Sequence, residues 1–132
     1  QKYAGELPLF AGGKSMGGRM TSLAAAQQPL DGVCGLIFFG FPLHAAGRPG
    51  AERAQHLAEI KIPMLFLQGS RDALAELKLF KPLCSKLGKR AELFVVDGSD
   101  HSFHMLKSAP RSDGEVLNDV VKKAAGWMKK YK

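Results

Sequence analysis

Four short apolar runs recur along this chain, and each is followed by a stretch of helical character. The runs are "LPLFA" at Leu7 to Ala11, "VCGLIFFGF" at Val33 to Phe41, "PMLFLQG" from Pro63, and "AELFVV" at Ala91 to Val96. They are continuous in hydrophobicity, without the strict alternation of a strand that faces water on one side. Continuous runs of this length predict strands buried on both faces, hence a parallel sheet with helices above and below it. The helical stretches fall between the runs. Ser15 to Gln28 stops at Pro29, Glu52 to Ile60 is short, and Ala73 to Leu87 ends at Gly88 in the place of a C-terminal cap. Ser112 followed by Glu115 forms a capping box and opens a last helix through about Tyr131. In it Val116, Val120, Val121, Ala124 and Trp127 fall on one face at helical spacing. The expected architecture is α/β: a parallel sheet of about four strands flanked by helices, one domain over residues 1–132.

Composition narrows the class. A chain of 132 residues that is 45% hydrophobic can bury one real core. No run reaches the roughly 18–20 apolar residues of a membrane span, so no membrane partner is expected. No leader-like segment is visible, and a cytoplasmic location is expected. Cys34 and Cys84 lack a metal-like spacing and are expected to be reduced and buried. The net charge of +7 owes much to Lys122, Lys123, Lys129, Lys130 and Lys132 near the C-terminus. A nucleic-acid reading would want them interleaved with exposed aromatic residues or set on a recognisable binding module. Neither is evident, so they read as a solvated helix face and no nucleic-acid partner is expected.

Between the first strand and the first helix stands "AGGKSMGG". Gly13-Lys14-Ser15-Met16-Gly17 satisfies G-x-S-x-G in the strand–turn–helix context that this motif needs. There a serine is held on a strained turn with its hydroxyl pushed above the sheet edge. Glycines two before and two after it remove Cβ atoms where strand and helix approach. The helix N-terminus points N–H groups at charge developing on a substrate oxygen, and Met16 would donate one of them. A phosphate loop, G-x-x-x-x-G-K-[ST], would need glycine where this chain has Pro8.

A serine hydroxyl needs a base, and the base needs an orienting acid. Both are expected on loops after later strands, in the order Ser, acid, His. "PMLFLQG" runs into Ser70-Arg71-Asp72, and "AELFVVDGSD" runs into His101. The candidate set is therefore Ser15 as nucleophile, Asp72 as acid and His101 as base, all at C-terminal strand ends. Asp72 could instead cap a helix from Ala73, while Asp97 and Asp100 are expected to shape the His101 turn. His104 is the rival base and is expected to line the pocket or pack; His44, after the second strand, either touches substrate or caps a loop. His56 is expected on the surface of its helix.

Together "GKSMGG", "LQGSRDAL" and "GSDHSFH" resemble the α/β-hydrolase superfamily. With "GFPLH" and "LFLQGSRD", the likeness is to its dienelactone-hydrolase-like branch, which includes small bacterial hydrolases and the related testis-expressed and chromatin-complex proteins. The resemblance implies a serine hydrolase acting on a small ester-like substrate by acyl transfer to water, without metal or organic cofactor. The branch also has members with a structural role, which leaves a scaffold with a vestigial triad as the alternative. Dienelactone hydrolases proper use cysteine at the elbow, so Ser15 does not carry their substrate over. The family's elbow follows its fifth strand, which makes this chain the expected C-terminal portion of such a domain, with the earlier strands and second oxyanion loop upstream.

Overall fold

The computed structural model describes residues 7–131. Its elements are β1 (Leu9–Lys14), α1 (Met16–Gln27), β2 (Val33–Phe39), β3 (Met64–Gly69), α2 (Leu77–Leu87), β4 (Ala91–Val96) and α3 (Asp113–Lys130). The strands form one sheet in the order β1-β2-β3-β4. Every pairing is parallel, with Gly13 opposite Phe38, Phe38 opposite Phe66, and Phe66 opposite Leu93. The central strands β2 and β3 are buried on both faces, as continuous apolar strands require. At the edges β4 is mostly half-buried and β1 leaves Leu9, Gly12 and Lys14 exposed, against the expectation. Leu36, Phe38, Met64 and Phe66 point to the side of α1 and α2, while Ile37, Leu65 and Leu67 lie under α3.

On the first face Phe38, Phe41, Phe66 and Phe80 stack with ring centroids 4.9–6.3 Å apart. Burying each such ring contributes about 2–3 kcal/mol. On the other face α3 lays down Val116, Val120, Ala124 and Trp127. Its capping box forms: the Ser112 hydroxyl accepts the Glu115 N–H, and the Glu115 carboxylate accepts the Ser112 N–H. Val121 departs from the expected stripe and is 56% exposed. One residue past Val120 is a rotation of about 100° about the helix axis, which carries it off the sheet-facing side.

Two other expectations are corrected, and a third takes a more definite form: the short helical stretch from Glu52 is a 3-10 helix, Glu52–Glu59. Ala54, Leu57 and Ile60 are buried at intervals of three, and a helix of three residues per turn sets them on one side. The α2 helix begins at Leu77, four residues later than expected, because the residues after Asp72 form a turn. Within it Leu74 gives its N–H to the Asp72 carboxylate and its carbonyl to the N–H groups of Leu43 and His44. Cys34 is half-buried rather than buried; Cys84 is buried, with its thiol pushed up to about 12 by desolvation, and both are free. Among the described residues no helix is long and apolar enough to cross a membrane.

Candidate active site

Ser15 follows β1 directly and sits at the N-cap of α1 with φ 52° and ψ −123°. A serine at an N-cap commonly accepts an N–H of its own helix. Here it makes no such bond, because the left-handed backbone turns the hydroxyl away from the helix. Its Oγ lies 2.7 Å from His101 Nε2 instead. The backbone is held from behind, with Ser15 N–H donating to the Phe39 carbonyl at 2.9 Å. The first intrahelical bond runs from Arg19 N–H to the Ser15 carbonyl. Met16, at the first helical position, therefore has an N–H that the helix itself does not use.

The glycines around Ser15 do not all serve the purpose expected of them. A Cβ on Gly13 would stand 2.8 Å from the Gly18 nitrogen, and one on Gly18 would stand 2.7 Å from the Gly13 carbonyl oxygen. A Cβ on Gly17 would meet nothing within 4 Å. The close approach of strand to helix is between Gly13 and Gly18, so the expectation for Gly17 is corrected.

His101 stands between serine and carboxylate. Its Nδ1 is 2.8 Å from Asp72 Oδ2, with the Asp72 side chain fully buried and that of His101 21% exposed. A carboxylate accepts, so the proton belongs on Nδ1 and the Nε2 lone pair faces Ser15. Asp72 also caps the turn behind it, as Oδ1 accepts the Leu74 N–H at 2.8 Å. Asp72 is thus not the cap of a helix from Ala73, since α2 has its N-cap at Glu76; one of its oxygens caps a turn and the other meets His101. Asp100 accepts the N–H groups of Ser102 and His104, each at 2.9 Å. Desolvation pushes its carboxyl up, but those bonds outweigh it and hold Asp100 below the usual range. Asp97 accepts the Ser70 hydroxyl at 3.3 Å. Both acids shape the turn and do not face His101 in these bonds.

The other histidines are engaged elsewhere. His44 is 4% exposed; its Nδ1 donates to the Ala45 carbonyl and its Nε2 accepts the Glu76 N–H. With both nitrogens occupied it ties the loop after β2 to the start of α2 and offers a ligand neither. His104 is exposed, and its Nδ1 pairs with Asp113 Oδ2 at 2.8 Å. That hydrogen bond and the charge of Asp113 raise the His104 pKa. His56 is half-buried, 2.6 Å from the Ser22 hydroxyl through Nε2, and not on the surface as expected. Burial first, and then the Arg19 charge, lower its pKa. Among the described residues no three His, Cys, Asp or Glu side chains group as metal ligands.

Two supporting residues stand inside "GFPLH" and "LFLQGSRD", where the sequence alone gave them no role. Gly40 (φ 70°) lies under the histidine, where a Cβ would come within 2.8 Å of the His101 carbonyl and 3.3 Å of its ring. Arg71, beside Asp72, grips the histidine loop at both ends: Nε donates to the Gly98 carbonyl at 2.7 Å and Nη2 to the His104 carbonyl at 3.1 Å. Its N–H adds a bond to Ser99. Arg71→Ala is expected to speed amide exchange across residues 98–104 by about ten- to a hundredfold, since the loop loses both side-chain bonds that hold it. Unchanged exchange in that loop would show the grip to be idle.

Comparison with known proteins agrees with this architecture. A family model described as an alpha/beta hydrolase domain matches residues 1–129. Among solved structures, an alpha-beta serine hydrolase homologue from Coxiella burnetii superposes with a TM-score of 0.64 at 20% identity, over 89% of this chain and 49% of its own. An esterase from Pyrococcus furiosus gives 0.63 at 16% identity, over 93% and 53%. A protein described as a dienelactone hydrolase from Klebsiella pneumoniae gives 0.65 at 21% identity, over 93% and 52%. The chain spans about half the length of each of these three structures. At these identities the likeness is one of fold.

Proposed function

Because the chain belongs to the alpha/beta hydrolase domain family, we propose that it is a serine hydrolase that transfers an acyl group from a small ester to water. The observation that carries this reading is the line of contacts from the strained Ser15 through His101 to buried Asp72, at 2.7 and 2.8 Å. Ser15 Oγ attacks the ester carbonyl while His101 Nε2 takes its proton. Asp72 keeps the imidazole in the needed tautomer and stabilises its positive form. The oxyanion forms over the start of α1, where the Met16 N–H donates to it. Collapse returns the proton through His101 to the departing alcohol, leaving an acyl-enzyme. Water then repeats the sequence and regenerates the Ser15 hydroxyl.

A fluorophosphonate probe tests the reading without knowledge of the substrate, since it phosphonylates only an activated serine. A single label is expected, on Ser15, and none in Ser15→Ala. Labelling that persists undiminished in that variant would refute the assignment.

A further inference from the structure

Gln68 lies in β3 among Met64, Leu65, Phe66 and Leu67, and none of its surface reaches solvent. A buried amide with unpaired groups costs roughly 1–3 kcal/mol, so both of its ends need partners. Its Oε1 accepts the Phe41 N–H at 2.7 Å. A backbone N–H can only donate, and this settles which way the amide is turned. The oxygen faces the loop after β2, and the NH2 group faces the other way, toward Asp72. Nε2 lies 3.5 Å from Asp72 Oδ2, the same oxygen that receives the His101 Nδ1 proton.

We propose that Gln68 is a positioning residue for the hydrolytic set, holding the Asp72 carboxylate at the angle at which it meets His101. This rests on the reading of Ser15, His101 and Asp72 given above. At 3.5 Å the contact is long, and it acts as a directional positive edge beside the carboxylate more than as a strong bond. Oδ1 is fixed by Leu74, so the Gln68 amide and the imidazole are the two groups that meet Oδ2. Rotation of the carboxylate away from His101 would carry Oδ2 off the amide as well. The same amide ties Asp72 to Phe41, beside the Gly40 that lies under the His101 ring. Two of the loops that frame the histidine are thus joined through one side chain. Leucine in this place would strand the Phe41 N–H without a partner. Glutamate would satisfy Phe41 yet set a second carboxyl against Asp72, and two such groups in one buried site hold a proton between them.

That difference supplies the experiment. Gln68→Glu and Gln68→Met are made in the full chain, alongside Ser15→Ala. Each is assayed for kcat and KM with p-nitrophenyl acetate, and for the downfield proton resonance of the His101 Nδ1–H. Gln68→Glu keeps an acceptor for Phe41, but its buried carboxyl shares a proton with Asp72, so a fixed N–H donor becomes a proton that competes with His101 for the same oxygen. It is expected to lower kcat about a hundredfold with KM changed less than about threefold, and to displace the resonance. Gln68→Met is expected to lower kcat about tenfold and to displace the resonance less far. Wild-type kcat and an unmoved resonance in Gln68→Glu would overturn the proposal, leaving Gln68 a partner of Phe41 alone. If Gln68→Glu fails to fold, the same two readouts in Gln68→Met decide. Turnover that survives in Ser15→Ala would instead defeat the hydrolase reading, and the resonance would then decide the role of Gln68 by itself.

Discussion

His101→Ala is expected to lower kcat for an activated ester by about 10⁴–10⁶-fold, and Ser15→Ala by a similar factor. The double variant is expected to be no worse than either alone. The reason is that the two side chains perform one act: without the base the hydroxyl is a poor nucleophile, and without the hydroxyl the base has nothing to activate. Losses that multiplied across the two substitutions would mean that each residue works on its own. Asp72→Asn is expected to cost about 10⁴-fold, because an amide in place of the carboxylate favours the wrong imidazole tautomer. His104→Ala is expected to stay within about threefold of wild type, since its exposed ring is spent on Asp113 and surface substitutions of this kind disturb little. The check is steady-state kinetics on variants whose circular dichroism matches the parent. If His104→Ala were crippling and His101→Ala active, the base would be misassigned.

The second large effect concerns folding. Gly13→Ala places a methyl 2.8 Å from the Gly18 nitrogen and 2.9 Å from the Gly17 carbonyl carbon, both of them backbone atoms. Neither can swing aside as a side chain would, so β1 and α1 must separate. The expected loss is about 3 kcal/mol, a fall in Tm on the order of 10 °C for a domain of this size. Gly17→Ala is the matched control. Its methyl meets nothing within 4 Å, and alanine suits a helix better than glycine by up to about 1 kcal/mol. Its Tm is expected to hold or to rise. Thermal unfolding of the two variants side by side reads the difference, and equal Tm values would show that the turn opens at no cost.

What could be read from the sequence and what could not separate along physical lines. Continuous apolar runs reported the two-sided burial of β2 and β3, because burial acts on each residue locally. They overstated it for β1, whose place at the sheet edge is not written in its own residues. The strand ends bearing Ser15, Asp72 and His101 were legible for a similar reason: each is a short run of chain whose chemistry and context stand next to each other. The contacts of Gln68 and Arg71 were not, although both stand within the "LFLQGSRD" of the resemblance, since they are set by Phe41, Gly98 and His104, which lie far along the chain. By sequence His44 could touch substrate or cap a loop, and the bonds with Ala45 and Glu76 that decide for the loop are tertiary in part. His56 was expected on the surface and is instead bonded to Ser22. The helical character from Glu52 was legible, while its 3-10 form shows in the spacing of Ala54, Leu57 and Ile60. Gly17 was misjudged because a motif counts residues evenly around the serine, whereas the approach of helix to strand is set by the rotation of α1.

The first residue past each of three strands donates its N–H to the next strand in the sheet: Ser15 to Phe39, Gly40 to Leu67 and Ser70 to Val96. The ladder thus extends one rung beyond the strands, and those rungs carry Ser15, the floor under the His101 ring and the base of the Asp72 loop. That floor has no hinge of its own, whereas His101 stands further out on a loop that Arg71 grips. Ser15 cannot shift by loop motion, because releasing it unzips the rim of the sheet. Opening at Ser15 and fraying of the rim are one event, with one free energy. Amide exchange at Ser15, Gly40 and Ser70 is then a direct meter of how often that rim opens.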